Sequence, residues 1–352
     1  MLPAVDVLAP TAVEGDEVAF RLADPDHTRA GAKLWCDLDL GADLHLSEVP
    51  GGWELRMPLP EVDCLEYMFE IPGDPDPHLD LDPGNPEQVD GAFGAHSWLA
   101  LPSYAAPAWL DLTPVPGERT SLKVTRTAVG TIDVTVWTPE GSGDAELPLL
   151  VAHDGPEMDK LGELTRYVGA LIGDGRLPPV RVALLAPGAR DERYAANPAY
   201  AAALTDRVLP RLRKKFPTRG LPVVSGQSLG GVAALHAAWT SPGAFGGLLL
   251  QSGSFFTAEL DGQESAYPHW GAVTGFVATV HAATQAAPGA PRTAITCGTA
   301  EENFRNNRLM ADQLAATGVR VSWGEARQGH TWTCWRDLLD PHLTDLLTEV
   351  FG

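Results

Sequence analysis

The stretch from Leu221 to Trp239, LPVVSGQSLGGVAALHAAW, leaves the chain few options. An apolar run of strand character ends near Gly226, and a small-residue run of helical character, GGVAALHAAW, begins at Gly230. Only Gln227, Ser228 and Leu229 stand between them, so the segment reads as strand, sharp turn, helix. Glycines at 226 and 230 relieve the crowding such a turn creates. Gly-x-Ser-x-Gly alone is a common pattern. Between a strand and a helix it reads as a nucleophile elbow, which lifts Ser228 Oγ clear of a sheet edge. The N–H groups of the helix start, Leu229 first, then point at the reaction centre. The bland alternative is a serine in an ordinary glycine turn.

An unassisted serine hydroxyl is a weak nucleophile and needs a base. On an elbow of this kind the chain order is Ser, then acid, then His. The histidines beyond Ser228 are His236, His269, His281, His330 and His342. His236 lies two turns along the elbow's own helix, and His342 sits inside a terminal helical run. His330, in RQGHTWTCW, follows the strand VRVSWGEA directly, and loops at the carboxyl ends of strands hold the chemistry of such sheets. The acid is expected after the preceding strand, where TAITCGTAEENF delivers Glu301 and Glu302. The spacing does not separate them, and Glu301 is the first choice. Each could instead be a carboxylate favouring the start of the following helix, which would leave only a Ser–His dyad. An oxyanion hole needs two N–H donors. Leu229 supplies one, and Gly155 in AHDGPEM is the candidate for the other, against an ordinary turn at His153-Asp154-Gly155.

The rest of the second part supports such a sheet. TSLKVTRT and TIDVTVWTP read as a hairpin. After it, LPLLVAHDG, VRVALLAPG, LPVVSG, GGLLLQSGS, RTAITCGTAEEN and VRVSWGEAR are strands, most of them short apolar runs. Among them stand helical stretches such as LGELTRYVGALIGDG, NPAYAAALTDRVLPRLRKKF and NNRLMADQLAATG, with TWTCWRDLLDPHLTDLLTEVF closing the chain. Continuous apolar strands alternating with helices imply a mostly parallel sheet covered on both faces. The first hundred residues differ. EVAFRLA, AKLWCDLDL, GGWELRMPLP and CLEYMFEI alternate and are broken by Gly and Pro, the pattern of a β-sandwich. Residues 72–109 are rich in Pro, Gly and Asp and read as a linker. The expected domains are 1–107, a β-sandwich with this linker, and 108–352. Trp35, Trp53 and Trp98 could form a sugar platform but read more simply as core or interdomain contacts.

The chain has 352 residues and a net charge of −21. Nucleic acid is not an expected partner, because phosphate binding needs basic patches and RLRKKFPTR reads as a solvated helix end. No apolar run approaches the length of a membrane span, so no membrane partner is expected. MLPAVDVLAP lacks the basic start of a signal peptide, and a cytoplasmic location is expected. Cys36, Cys64, Cys297 and Cys334 have no CxxC spacing; each half of the chain could hold one disulfide, or all four are buried thiols in a reducing cytosol.

These motifs resemble the enterochelin (enterobactin) esterase family, in the esterase D group of α/β-hydrolases. The resemblance covers nearly the whole chain: GGWELRMPLPEVDCLEYMFEI and LDPGNPEQVDGAFGAHSWLALPSY in front, then HDG, GDGRLPPV, GQSLGG, LLLQSGSFF, CGTAEEN and GHTWTCWRDLL. It implies an α/β-hydrolase behind an immunoglobulin-like β-sandwich. It also implies hydrolysis of ester bonds in a catecholate siderophore, the trilactone of ferric enterobactin being the family's substrate, with release of iron. The alternatives are a general carboxylesterase or an acyltransferase of the same group. A binding protein on a hydrolase scaffold would fit a broken triad, but Ser228, a following carboxylate and His330 are all in place. The expected partner is a small-molecule ester carrying iron as part of the substrate; no metal or organic cofactor is expected. The family's pattern departs at PGARDERYAANPAYA: Arg190 and Asn197 match, but Arg193-Tyr194 stands where Glu-Leu is common. Arg190 and Arg193 are candidate substrate contacts for an anionic ferric catecholate, or loop arginines paired with Asp191 or Glu192. Ser252, Ser254 and Trp332 are candidate lining residues. The front domain is expected to restrict which substrates enter.

Overall fold

The computed structural model describes residues 8–352 apart from positions 39, 42, 74 and 93. Positions 1–7, most of the stretch read for a leader, lie outside the described residues. The chain divides into two units: Met1–Ala105 with Thr299–Glu301 and Arg327–Thr331, and the remainder, Ala106–Gly298, Glu302–Ala326 and Trp332–Gly352. Two short segments from far along the chain thus belong with the front unit, which a division at 107/108 does not anticipate. Among the described residues no helix is long and apolar enough to cross a membrane.

The first unit is two antiparallel sheets over one core. One sheet holds β1 (Ala12–Glu14), β2 (Glu17–Ala23), β4 (Ser47–Val49) and β5 (Gly52–Pro58) in the order β1-β2-β5-β4. The other holds β3 (Lys33–Trp35), β6 (Cys64–Ile71), β8 (Gln88–Gly91) and β9 (Gly94–Ala100) in the order β3-β6-β9-β8, with β7 (His78–Asp80) also on β6. Alternation in β2 and β6 sends Val18, Phe20, Leu22, Tyr67 and Phe69 inward from both sheets. The expected linker at 72–109 is corrected here: it contributes β7, β8 and β9, and β9 pairs with β6 from Cys64↔Ala100 to Tyr67↔Ser97. Its prolines lie outside the strands, while HSWLA alternates well enough to pair. Trp53 lies in one sheet and Trp35 and Trp98 in the other, so the three do not share a sheet surface.

The second unit is an eight-stranded sheet. Its strands are β10 (Gly117–Thr127), β11 (Gly130–Pro139), β12 (Leu149–Ala152), β13 (Arg181–Leu185), β14 (Val223–Gln227), β15 (Gly247–Gln251), β16 (Arg292–Gly298) and β17 (Val321–Ala326). Their order is β10-β11-β13-β12-β14-β15-β16-β17. The hairpin β10–β11 is antiparallel and joins β13 antiparallel; every later pairing is parallel. The central strands β12 to β15 are buried at every residue, as strands covered on both faces must be. The helices are α1 (Gly155–Lys160), α2 (Leu164–Gly173), α3 (Arg190–Tyr194), α4 (Pro198–Ala203), α5 (Leu209–Lys215), α6 (Leu229–Thr240), α7 (Trp270–His281), α8 (Phe304–Ala316), α9 (Trp332–Asp337) and α10 (His342–Phe351). Two apolar clusters fill this unit, one holding residues of α4, α6, α7 and α8, the other residues of α2 and α10.

Candidate active site

Ser228 stands between β14 and α6 with φ 56° and ψ −124°. A non-glycine residue held there stores strain of about 1–3 kcal/mol, which persists only when its surroundings over-determine it. The surroundings do so. A Cβ on Gly226 would fall 2.1 Å from the Gly230 carbonyl oxygen, and one on Gly231 would fall 3.1 Å from Gly253 Cα. Ser228 donates its N–H to Gln251 O at 2.9 Å and accepts from the Ser254 N–H at 3.1 Å. The side chain of Gln227 donates to Gln251, that of Gln251 to Trp335 O, and the Trp335 indole to Ser252 Oγ, at 3.0, 2.8 and 2.9 Å. Asn307 closes the neighbouring turn by accepting from the Gly253 N–H at 2.8 Å and donating to the Gly253 carbonyl at 2.7 Å. Ser254 Oγ, buried, lies 3.1 Å from Ser228 Oγ.

The register of the parallel pair sets what lies beside the elbow. Ala152 faces Ser225, and the His153 N–H donates to Ser225 O at 2.9 Å, so His153-Asp154-Gly155 leaves the sheet next to the serine turn. Gly155 is the first residue of α1, whose opening amides have no acceptor within the helix. A Cβ there would lie 2.4 Å from Leu184 Cα, so close approach to β13 requires glycine. Leu229 opens α6 in the same way. Asp154 is 2% exposed and has a left-handed backbone, φ 45°. His153 is buried among Tyr194 and Tyr200, and burial pushes its imidazole down to about 4.

The candidate base and acid lie in the first unit. His330 Nδ1 is hydrogen-bonded to Glu301 Oε2, and the Glu301 side chain is 1% exposed. Glu302 is exposed and accepts from Gln263 Nε2 at 3.2 Å. Of the two carboxylates the sequence left open, Glu301 is the one at the histidine. The His330 segment is fastened within its unit. Asp63 N–H donates to Arg327 O at 2.6 Å, and Arg327 Nε and Nη2 donate to Asp63 Oδ1 at 3.1 and 2.8 Å. Ala300 N–H donates to Gln328 O, and a Cβ on Gly329 would lie 2.6 Å from Leu38 Cδ2. His236 packs edge-on against Phe276 and His342 lies against Gly324, so each has a structural place.

The candidate substrate residues divide. Arg193 is corrected: it is buried and donates to the carbonyls of Pro187, Val129 and Thr131 at 3.1, 2.8 and 2.9 Å. Its guanidinium closes the β10–β11 turn instead of offering a cation to a ligand. Arg190 pairs with Asp154, not with Asp191 or Glu192, through Nε–Oδ1 and Nη2–Oδ2 bonds of 2.9 Å each. Trp332 packs against the second apolar cluster and edge-on against Trp335, ring centroids 4.7 Å apart. The contacts that Asp154, Tyr194, Gln251 and Asn307 make around the Ser228 turn were not foreseen from the sequence; only Asp154 carried a signal, in HDG before a helix start. Among the described residues no group of three or more His, Cys, Asp or Glu could hold a metal ion.

Residues 127–346, more than half of the chain, match the Esterase family model. The chain belongs to the Esterase family. Among curated relatives, the iron(III) enterobactin esterase of Escherichia coli strain K12 is 28% identical over 225 residues, 62% of this chain and 54% of that protein. The iron(III) enterobactin esterase of Dickeya dadantii is 30% identical over 223 residues, 58% of this chain and 48% of that protein. The chain thus spans about half the length of these esterases. Two solved structures share the fold: the ferric enterobactin esterase of Salmonella typhimurium and the Shigella flexneri enterobactin esterase in the presence of enterobactin. The first has a TM-score of 0.78 at 21% identity, over 97% of this chain and 96% of that one. The second has 0.77 at 23%, over 95% and 94%. The fold of this Esterase family member is therefore that of an α/β-hydrolase.

Proposed function

We propose that this chain is a serine esterase that opens ester bonds of a catecholate siderophore of the ferric enterobactin type, through an acyl-enzyme. The observation that carries the chemistry is the strained Ser228 turn, together with a Glu301–His330 pair built in the order an elbow requires. The names of the curated relatives carry the substrate class.

In this mechanism Glu301 accepts from His330 Nδ1–H and leaves Nε2 basic. Nε2 takes the Ser228 proton as Oγ attacks the ester carbonyl. The oxyanion is received by the Leu229 and Gly155 amides, each at a helix start. His330 returns the proton to the leaving alkoxide, and a water activated the same way frees Ser228. Ser254, 3.1 Å from Ser228 Oγ, orients the hydroxyl before attack. Iron enters as part of the substrate. The first unit is read as an immunoglobulin-like domain. A cytoplasmic setting is in keeping with four cysteines carried as thiols.

The test is turnover of ferric enterobactin beside a short-chain p-nitrophenyl ester, wild type against Ser228→Ala, products separated by chromatography. Both substrates should be cut, and the variant should lose at least about 1000-fold in kcat with its melting temperature unchanged. Cleavage of the p-nitrophenyl ester alone would keep the chemistry and remove the siderophore. A variant of near-normal rate would remove Ser228 as the nucleophile.

A further inference from the structure

Asp154 is a carboxylate withdrawn from water directly before the glycine whose amide the mechanism uses. Arg190 meets it as a fork, Nε on Oδ1 and Nη2 on Oδ2, both at 2.9 Å. The same Nη2 reaches the Gln227 carbonyl at 3.4 Å, one residue before Ser228. The guanidinium carbon stands 5.5 Å from the centre of the Tyr194 ring, and the Tyr194 hydroxyl accepts the Asp154 N–H at 3.1 Å. A Cβ on Gly230 would lie 3.3 Å from Asp154 Oδ2, so the carboxylate also touches the start of α6. Two backbone turns, 153–155 and 227–230, are held by one ion pair. Such a pair is planar and bidentate, a geometry that fixes orientation as well as distance. A left-handed non-glycine residue such as Asp154 keeps its conformation only while its contacts hold it.

We propose that Arg190 is a positioning residue: through Asp154 it sets the spacing between the Gly155 and Leu229 amides that receive the oxyanion. Its charge is spent on Asp154 and is not the receptor for an anionic substrate. The proposal rests on the esterase reading above.

The experiment uses the full chain and three probes: a neutral p-nitrophenyl ester, ferric enterobactin, and an arylboronic acid, whose tetrahedral adduct on Ser228 places an oxygen where the oxyanion forms. Arg190→Gln should lower kcat about 10- to 100-fold on both substrates, the loss of one oriented oxyanion donor. KM for the neutral ester should stay within about twofold, while the boronate inhibition constant rises by the factor kcat falls. A partly unfolded sample would lower kcat without moving that constant. Arg190→Lys, which keeps charge but cannot fork, should fall between. Asp154→Asn with Arg190→Gln should be no worse than the worse single variant. If Arg190→Gln does not fold, Tyr194→Phe should show the same joint change in kcat and boronate binding. A loss confined to KM for ferric enterobactin overturns the proposal in favour of direct substrate contact. Unchanged boronate binding, or singles whose effects multiply, also overturns it. Ser228→Ala, assayed alongside, separates the cases: if it stays active the esterase reading fails first, and if it is dead while Arg190→Gln is normal, only this inference fails.

Discussion

Two side chains with the same chemistry, Glu301 and Glu302, are adjacent in sequence and receive opposite environments. Glu301 is buried on His330, whereas Glu302 is exposed beside Gln263. Glu301→Gln should therefore cost about 100-fold or more in kcat, because the imidazolium loses the carboxylate that orients and stabilises it. Glu302→Gln should leave the rate within about twofold. Steady-state kinetics on a p-nitrophenyl ester decides this, and equal mild effects would point to a Ser–His dyad. His153 makes a prediction of a different kind. Burial holds its folded value near 4 against an ordinary 6.5, so the unfolded chain takes up the proton first. The stability it contributes is complete above about pH 6.5 and is lost as pH falls from there toward about 4. Denaturant unfolding should show about 2 kcal/mol less stability near pH 5 than near pH 7.5 from this residue, and His153→Gln should flatten that part of the curve. An unchanged slope in the variant would mean that other groups dominate.

At the level of elements, the strands and helices around the elbow were legible because their periods are clean. β14 is five residues of continuous burial and α6 follows without a break in composition. The segment 72–109 was misread because Pro and Gly dominate its composition while short runs between them still alternate; pairing to β6 supplies what the local pattern lacks. The stretch 197–216 reads as one helix and carries a π turn at Leu204–Val208 before Pro210, whose missing N–H breaks the regular ladder there. The elbow itself tolerates no side chain at Gly226, since the obstacle at 2.1 Å is backbone and cannot rotate away. Gly226→Ala should lose about 4 kcal/mol or more, or fail to fold, as followed by thermal unfolding. Gly230→Ala, whose nearest neighbours are side-chain atoms at 3.3 Å, should lose less.

For the whole molecule, a net charge of −21 creates a field that opposes any anionic substrate. The Arg193 guanidinium donates to backbone carbonyls and Arg190 is paired with Asp154, so the donors of both are engaged within the protein. Raising ionic strength from about 0.01 to 0.2 M shortens the screening length from about 30 to less than 10 Å. The value of kcat/KM for an anionic ferric siderophore should therefore rise over that range, while that for a neutral ester should stay flat. A fall for the siderophore would show that a local cation outweighs the global charge.

The sequence by itself determined the strand–turn–helix at Ser228 and the mostly parallel sheet, and it supplied the proposed order of nucleophile, acid and base. Each of these is written in local composition or chain order. The choice of Glu301 over Glu302, the union of Arg190 with Asp154, the burial of Arg193 and the grouping of the His330 segment with the first unit came only with tertiary structure. Those depend on which distant backbone a side chain meets: 36 residues separate Arg190 from Asp154 and 264 separate Arg327 from Asp63. Hydrogen bonds and ion pairs over such separations leave no periodic trace in a sequence, because the folded backbone, not the spacing along the chain, brings the partners together.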